Sequence, residues 1–152
     1  MKMIVEKLIE DAIIREIRLL NVADRVVGAW EVKQYGEVKG EGDDSKSEIA
    51  VAVSPRSYDG FMSTQADFNC AISVAVRREC CPSGAEVAEI TELLFALLHS
   101  WNADVDAVYE DLTVEGFRPG GLMLTGGEGP VYDESRGVWM VSQSFTIRGI
   151  ID

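Results

Sequence analysis

Gly137-Val-Trp-Met-Val-Ser-Gln-Ser-Phe-Thr-Ile-Arg-Gly-Ile-Ile-Asp152 alternates apolar and polar side chains with a period of two. Trp139, Val141, Phe145 and Ile147 share one face. Val138, Met140, Ser142, Ser144, Thr146 and Arg148 share the other, which turns polar along its length. Successive side chains of a strand point to opposite sides of a sheet, so this is the pattern of a half-buried antiparallel strand. The reading expects the chain to end inside its own sheet, with the C-terminus as framework.

Upstream, Asp67 to Arg78 repeats the pattern: Phe68, Cys70, Ile72, Val74 and Val76 alternate with Asn69, Ala71, Ser73, Ala75 and Arg77. Glu48-Ile-Ala-Val-Ala-Val-Ser54 reads as a strand, and Arg25 to Lys33 as a short strand or extended link. Asp111 to Phe117 also reads as a strand. Gly120 to Pro130 reads as a short apolar run between glycine turns, and Pro130 to Gly137 as a turn, with Tyr132 to Arg136 capping the last hairpin.

Two helices complete the pattern. From Lys2 to Leu20, Val5, Leu8, Ile9, Ala12, Ile13, Ile17 and Leu20 recur at three- and four-residue spacing. Glu6, Lys7, Glu10, Asp11, Arg15 and Arg18 lie largely opposite, and Asn21 is the expected stop. The second helix opens at Pro82-Ser-Gly-Ala-Glu86, where Ser83 and Glu86 have capping-box spacing. Val87, Ile90, Leu93, Leu94, Leu97, Leu98 and Trp101 form its apolar stripe. The expected fold is therefore α+β: a two-layer sandwich of two amphipathic helices on a mainly antiparallel sheet, in a single domain spanning 1–152.

Composition agrees and excludes. A length of 152 residues with 47% hydrophobic content is enough for one core. The net charge of −12 argues against a nucleic-acid-binding surface, which needs clustered Lys and Arg, but an acidic wall suits DNA that must slide without sticking. No apolar run reaches the roughly 18 residues that span a bilayer, and acids at Glu6, Glu10 and Asp11 interrupt any signal-peptide core, so a cytoplasmic compartment is expected.

The search for chemistry returns little. His99, the one histidine, sits near the expected end of a helix, where its protonated form gains from the helix dipole, but no nucleophile or orienting acid can be assigned to it. Cys70 reads as a small core residue. Cys80 and Cys81 are adjacent and lack the spacing of a zinc site. The glycines between 120 and 129 do not form a dinucleotide fingerprint. In the polar loop Gly36 to Lys46, Asp43 and Asp44 are either solvated or a weak divalent site. No enzyme activity and no cofactor are expected. In the loop Pro55 to Ala66, Tyr58, Phe61 and Met62 either fold back on the core or contact a partner.

Four features together carry a resemblance. They are the helix Ile4 to Leu20, the strand pair Ile49 to Arg78 with its long loop, the turn Glu79-Cys-Cys-Pro-Ser-Gly-Ala85 feeding a helix that ends Leu97-Leu-His-Ser-Trp-Asn102, and the closing strand from Val138. In this the chain resembles the tail-terminator and tail-completion proteins of long-tailed bacteriophages and related contractile particles, the head–tail joining group. The resemblance implies a structural protein made in the host cytoplasm and carried in the virion tail or neck. It implies partners: further copies of itself, typically a ring of six, the tail-tube protein, the head connector, and DNA passing through the lumen without specific binding; no membrane is implied. Ring contacts are then expected, from loop and strand placement rather than from any family motif, at Tyr58, Phe61, Met62, Asp43, Asp44, Ser142, Ser144 and Thr146. The alternative is a small-ligand or protein-binding α+β module of non-viral origin using the sheet or the 120–130 region. A small hydrolase is a third reading.

Overall fold

A computed structural model describes residues 4–29, 47–55, 57–58, 64–77 and 84–151. The closing strand, β6 (Val138–Ile151), lies between β4 (Gln65–Arg77) and β5 (Phe117–Asp133), antiparallel to both. Beyond β4 lie β2 (Ser47–Val53), antiparallel, and then β1 (Arg25–Gly28), which pairs parallel to β2 at the edge. The two-residue β3 (Ser57–Tyr58) pairs with β4 off the main order β1-β2-β4-β6-β5. The expected α+β sandwich on a mainly antiparallel sheet is what the chain forms.

Helix α1 (Val5–Leu20) buries Val5, Ile9, Ala12, Ile13, Ile14 and Ile17. It stops at Asn21, in the left-handed conformation at φ 53°, whose N–H donates to the Arg18 carbonyl at 3.1 Å. Asparagine tolerates that conformation better than most side chains, which is why the helix ends there. Glu10 departs from the expected polar face and is buried, its carboxylate lying against Gly28 of β1. Reciprocal bonds fix the start of the β1–β2 pair: the Asp24 N–H donates to Ser47 Oγ at 3.0 Å, and the Ser47 N–H to Asp24 Oδ2 at 3.2 Å.

Three corrections concern the middle of the chain. Helix α2 (Ala85–Ala103) has Gly84 at its N-cap, at φ 75°, with no side-chain cap bond. Ser83 lies outside the described residues, and with Gly84 as cap Glu86 falls one position short of a capping box. Second, Asp111 and Leu112 are not strand but the end of a third helix, α3 (Val105–Leu112), where the Asp104 carboxylate accepts from the Asp106 N–H at 3.0 Å. Only an isolated bridge, Val114 to Phe117, remains of the expected strand. Third, Gly120 to Pro130 is not a pair of turns but the middle of one continuous edge strand. Its register against β6 shifts at Pro119/Gly121, Leu124/Gly126 and Glu128/Val131. Edge position and bulges are what admit two prolines and a run of glycines into a strand. The closing turn does fall where expected, with the Gly137 N–H donating to the Asp133 carbonyl at 2.9 Å.

The core fills the space between the helices and one sheet face. Phe68 and Phe117 meet edge to face at 4.9 Å, in the same core cluster as Phe145, Ile147, Leu94, Leu98 and Leu112. Trp101 is buried, and its indole N–H donates to Asp111 Oδ2 at 2.8 Å, tying α2 to α3. Cys70 is a core residue as expected, and burial pushes its thiol pKa well up, which keeps it protonated and unreactive.

Candidate functional site

Alternation divides β4 and β6 into two faces. Ala66, Phe68, Cys70, Ile72, Val74 and Val76 of β4 point to the helices, as do Val141, Phe145 and Ile147 of β6. The opposite face carries Asp67, Asn69, Ala71, Ser73 and Ala75 of β4 beside Arg148, Thr146, Ser144, Ser142 and Met140 of β6, each directly across from its partner. Among the described residues no element packs on this outer face.

Its chemistry comes from cross-strand pairs. The Arg148 guanidinium grips Asp67 through two bonds, Nε to Oδ1 at 2.7 Å and Nη2 to Oδ2 at 3.0 Å. That hydrogen-bonded cation holds the Asp67 pKa below the ordinary carboxylate value, slight burial opposing it. One step along, Thr146 Oγ1 donates to Asn69 Oδ1 at 2.9 Å. The next pairs are small: Ser144 lies between Ala71 and Gly126, and Ser142 between Ser73 and Glu128. On the other side of β6, across from Ile72, the Gln143 side-chain amide donates to the Gly126 carbonyl at 2.6 Å.

An open trough of about 730 Å³ runs over the end of this face, floored by the Asp67–Arg148 and Asn69–Thr146 pairs. Met123 and Ile150 stand as its apolar walls, and Gly120, Gly121 and Gly149 leave bare backbone between them. A second trough, of about 550 Å³, lies farther along β6 beside Ser142, Met140 and the Asp133–Ser135 turn. Asp133 is held below the usual carboxylate range chiefly by the Ser135 hydroxyl, which donates to it at 2.7 Å.

No family model and no curated protein matches this chain. Among solved structures it is similar to a chain from "Virion of native gene transfer agent (GTA) particle", at 18% identity and a TM-score of 0.49, over 88% of this chain and 84% of that one. At that distance the likeness carries no functional assignment.

Of the expected contact residues, Ser142, Ser144 and Thr146 come together on the outer face, and Thr146 lines the larger trough. Tyr58 is placed by its backbone, opposite Ala66 in β3. Phe61, Met62, Asp43 and Asp44 lie outside the described residues, as do Cys80 and Cys81. Among the described residues no group of three or more His, Cys, Asp or Glu side chains could hold a metal ion, and no helix is long and apolar enough to cross a membrane. His99 is exposed on α2. Sequence reading missed Met123 and Ile150, which sit in segments read as glycine-turn and strand end. It also missed the Asp67–Arg148 grip, because strand alternation gives the face of a residue but not its partner across the sheet.

Proposed function

We propose that this chain is a structural subunit of a phage-like particle. Copies of it, six in the ring, cap the end of the tail tube, stop tube growth and offer a second surface to the head connector. The role requires no chemical step and no cofactor; it requires a subunit contact that closes and two unlike faces for two partners. The acidic chain then lines a lumen through which DNA slides without adhering. The assembly forms in the host cytoplasm and stays in the virion tail or neck.

The observation that supports this reading is the outer face of β4 and β6, on which no element packs among the described residues. Helices fill one side of the sheet, while the other carries the small side chains Ala71, Ser73, Ala75, Ser142 and Ser144 beside the Asn69–Thr146 and Asp67–Arg148 pairs that floor the apolar-walled trough. A small-ligand module is the second reading, since the trough has a volume that suits small molecules. Its polar floor groups are already bonded to one another, so a ligand would have to break those pairs to be recognised. That disfavours the second reading.

The deciding experiment polymerises the cognate tube protein with and without this chain and measures tube lengths by electron microscopy. Uniformly shortened tubes bearing a ring at one end are expected; tubes of unchanged length with bare ends overturn the proposal. Ser144→Arg, which places a long cation among those small side chains, is expected to leave the melting temperature within about 2 °C, as surface changes do, and to abolish ring formation.

A further inference from the structure

Helices α1 and α2 meet at an open notch of about 300 Å³ in the helical layer. Leu20, Asn21 and Val22 line it from the end of α1, and Glu89, Ile90 and Leu93 from α2. Its floor is apolar, since Ile90 belongs to the core and Val22 packs against it. Leu93 is 47% exposed. A lone exposed leucine is ordinary on a surface. Here it coincides with a concave apolar floor and with charge of one sign.

That charge has two sources. Glu89 and, one turn on, Glu92 are exposed, and among the described residues neither has a hydrogen-bond or ion-pair partner. Glu86 also lines the notch and already has a partner. The second source is the end of α1 itself. The last carbonyls of a helix lack intrahelical donors and form the negative pole of its dipole. Arg18, the basic residue of the last turn, donates to the Val26 carbonyl of β1 at 3.0 Å and does not line the notch. From Ala85 to Leu112 there is no Lys or Arg. Every described Lys and Arg side chain, by contrast, already has a partner.

We infer that this notch receives a Lys or Arg side chain from a different protein. Its apolar stem lies along Val22 and Ile90, its cation sits between Glu89 and the end of α1, and an apolar neighbour in the same partner segment covers Leu93. Long basic side chains bury their stems on apolar surface and keep their charged heads at the polar rim in this way. Nucleic acid is excluded by sign, because it brings phosphates to an acidic rim. A second copy fits poorly, since none of its described cations can enter the notch without leaving a partner of its own. A free polyamine supplies the charge but leaves Leu93 bare. Complementary charge of this kind sets orientation and partner choice, and its effect falls with salt.

The test uses the full chain with its Ile and Leu methyl groups labelled for NMR. The probe is an acetylated, amidated peptide of alternating leucine and arginine. Comparison probes are the same peptide with glutamate for arginine, the same with serine for leucine, and spermidine. The leucine–arginine peptide is expected to shift the Ile90 and Leu93 methyl signals saturably, and to bind more weakly as salt is raised. The three comparison probes are expected to bind at least about tenfold more weakly. Glu89→Lys reverses the charge at the rim and is expected to weaken the leucine–arginine peptide about tenfold. That side chain is exposed, so folding is retained; Glu89→Gln, with an expected loss of about threefold, serves if it is not.

The absence of a saturable shift at Ile90 and Leu93 overturns the inference. So does equal binding by spermidine or by the serine peptide, and so does an affinity unchanged in Glu89→Lys. The capping role is a separate matter: a notch that ignores the peptide leaves that role standing, and uncapped tubes leave the notch standing.

Discussion

The two faces of β6 are one residue apart in sequence and obey different rules. Toward the helices, Phe145 and Ile147 are enclosed on all sides. Toward the outside, Ser144, Thr146 and Arg148 face their cross-strand neighbours, and no element packs on them among the described residues. The inner face is fixed by packing, where every methylene has a partner. The outer face is fixed by pairing, in which residues across the ladder satisfy one another and the surface above them stays available. Stability resides on one side of the strand and association, on our reading, on the other.

The sharpest way to break this contrast is Phe145→Ala. It opens a cavity between the sheet and the helices, and a loss of about 3–5 kcal/mol is expected in chemical denaturation. A loss below about 1 kcal/mol would mean the inner face is not the close-packed core described here. Next in size is Gly149→Ala. Gly149 is buried in β6 where it faces Pro119, and a Cβ there would overlap the Arg118 carbonyl oxygen and the Phe117 ring. Neither can swing away, because one is backbone and the other is held by Phe68. A cost of about 1–3 kcal/mol is expected, the usual range for overpacking, and a neutral result would show that the β5–β6 contact is looser at this end.

The smallest effect belongs to the outer face. Arg148→Met removes the cation that depresses the Asp67 pKa, and carbon-detected NMR titration should show that pKa rising toward the ordinary carboxylate value. Because the folded value lies below the unfolded one, the pair stabilises the chain fully at neutral pH. That contribution fades as pH falls through the depressed folded value. The wild-type advantage over Arg148→Met should therefore be present at pH 7, under about 1 kcal/mol for so exposed a pair, and be lost as pH falls through the depressed folded value of Asp67. An advantage that persists in acid would assign Arg148 a packing role instead.

The inner face was legible from sequence because alternation reports burial directly: Phe68, Ile72, Val74, Val141 and Phe145 were all placed correctly by their spacing. Asn21 ended α1 as expected because its side chain tolerates the left-handed turn. Helix α3 was missed although its signals were present, with Asp104 as a capping carboxylate and Val108 and Leu112 four residues apart on the buried side. The β-like run Leu112-Thr-Val114 outweighed them. The strand through Gly120 to Pro130 was hidden for a different reason. Glycine and proline ordinarily mark turns, and only the pairing with β6, a long-range fact, makes them edge-strand residues here. The outer face was legible as polar, and no more, since register decides which polar groups meet. Glu10 looked solvated by helical periodicity and is buried because Gly28 leaves room beside it.

Strand β5 has a consequence of its own. A long border strand exposes backbone donors and acceptors that invite any other extended chain to join, the route to fibrils. This one is interrupted: Pro119 and Pro130 supply no N–H, and three register shifts break the straight ladder a joining strand would need. In the ring we propose, the faces of such a chain are offered for orderly assembly while this border refuses growth without end.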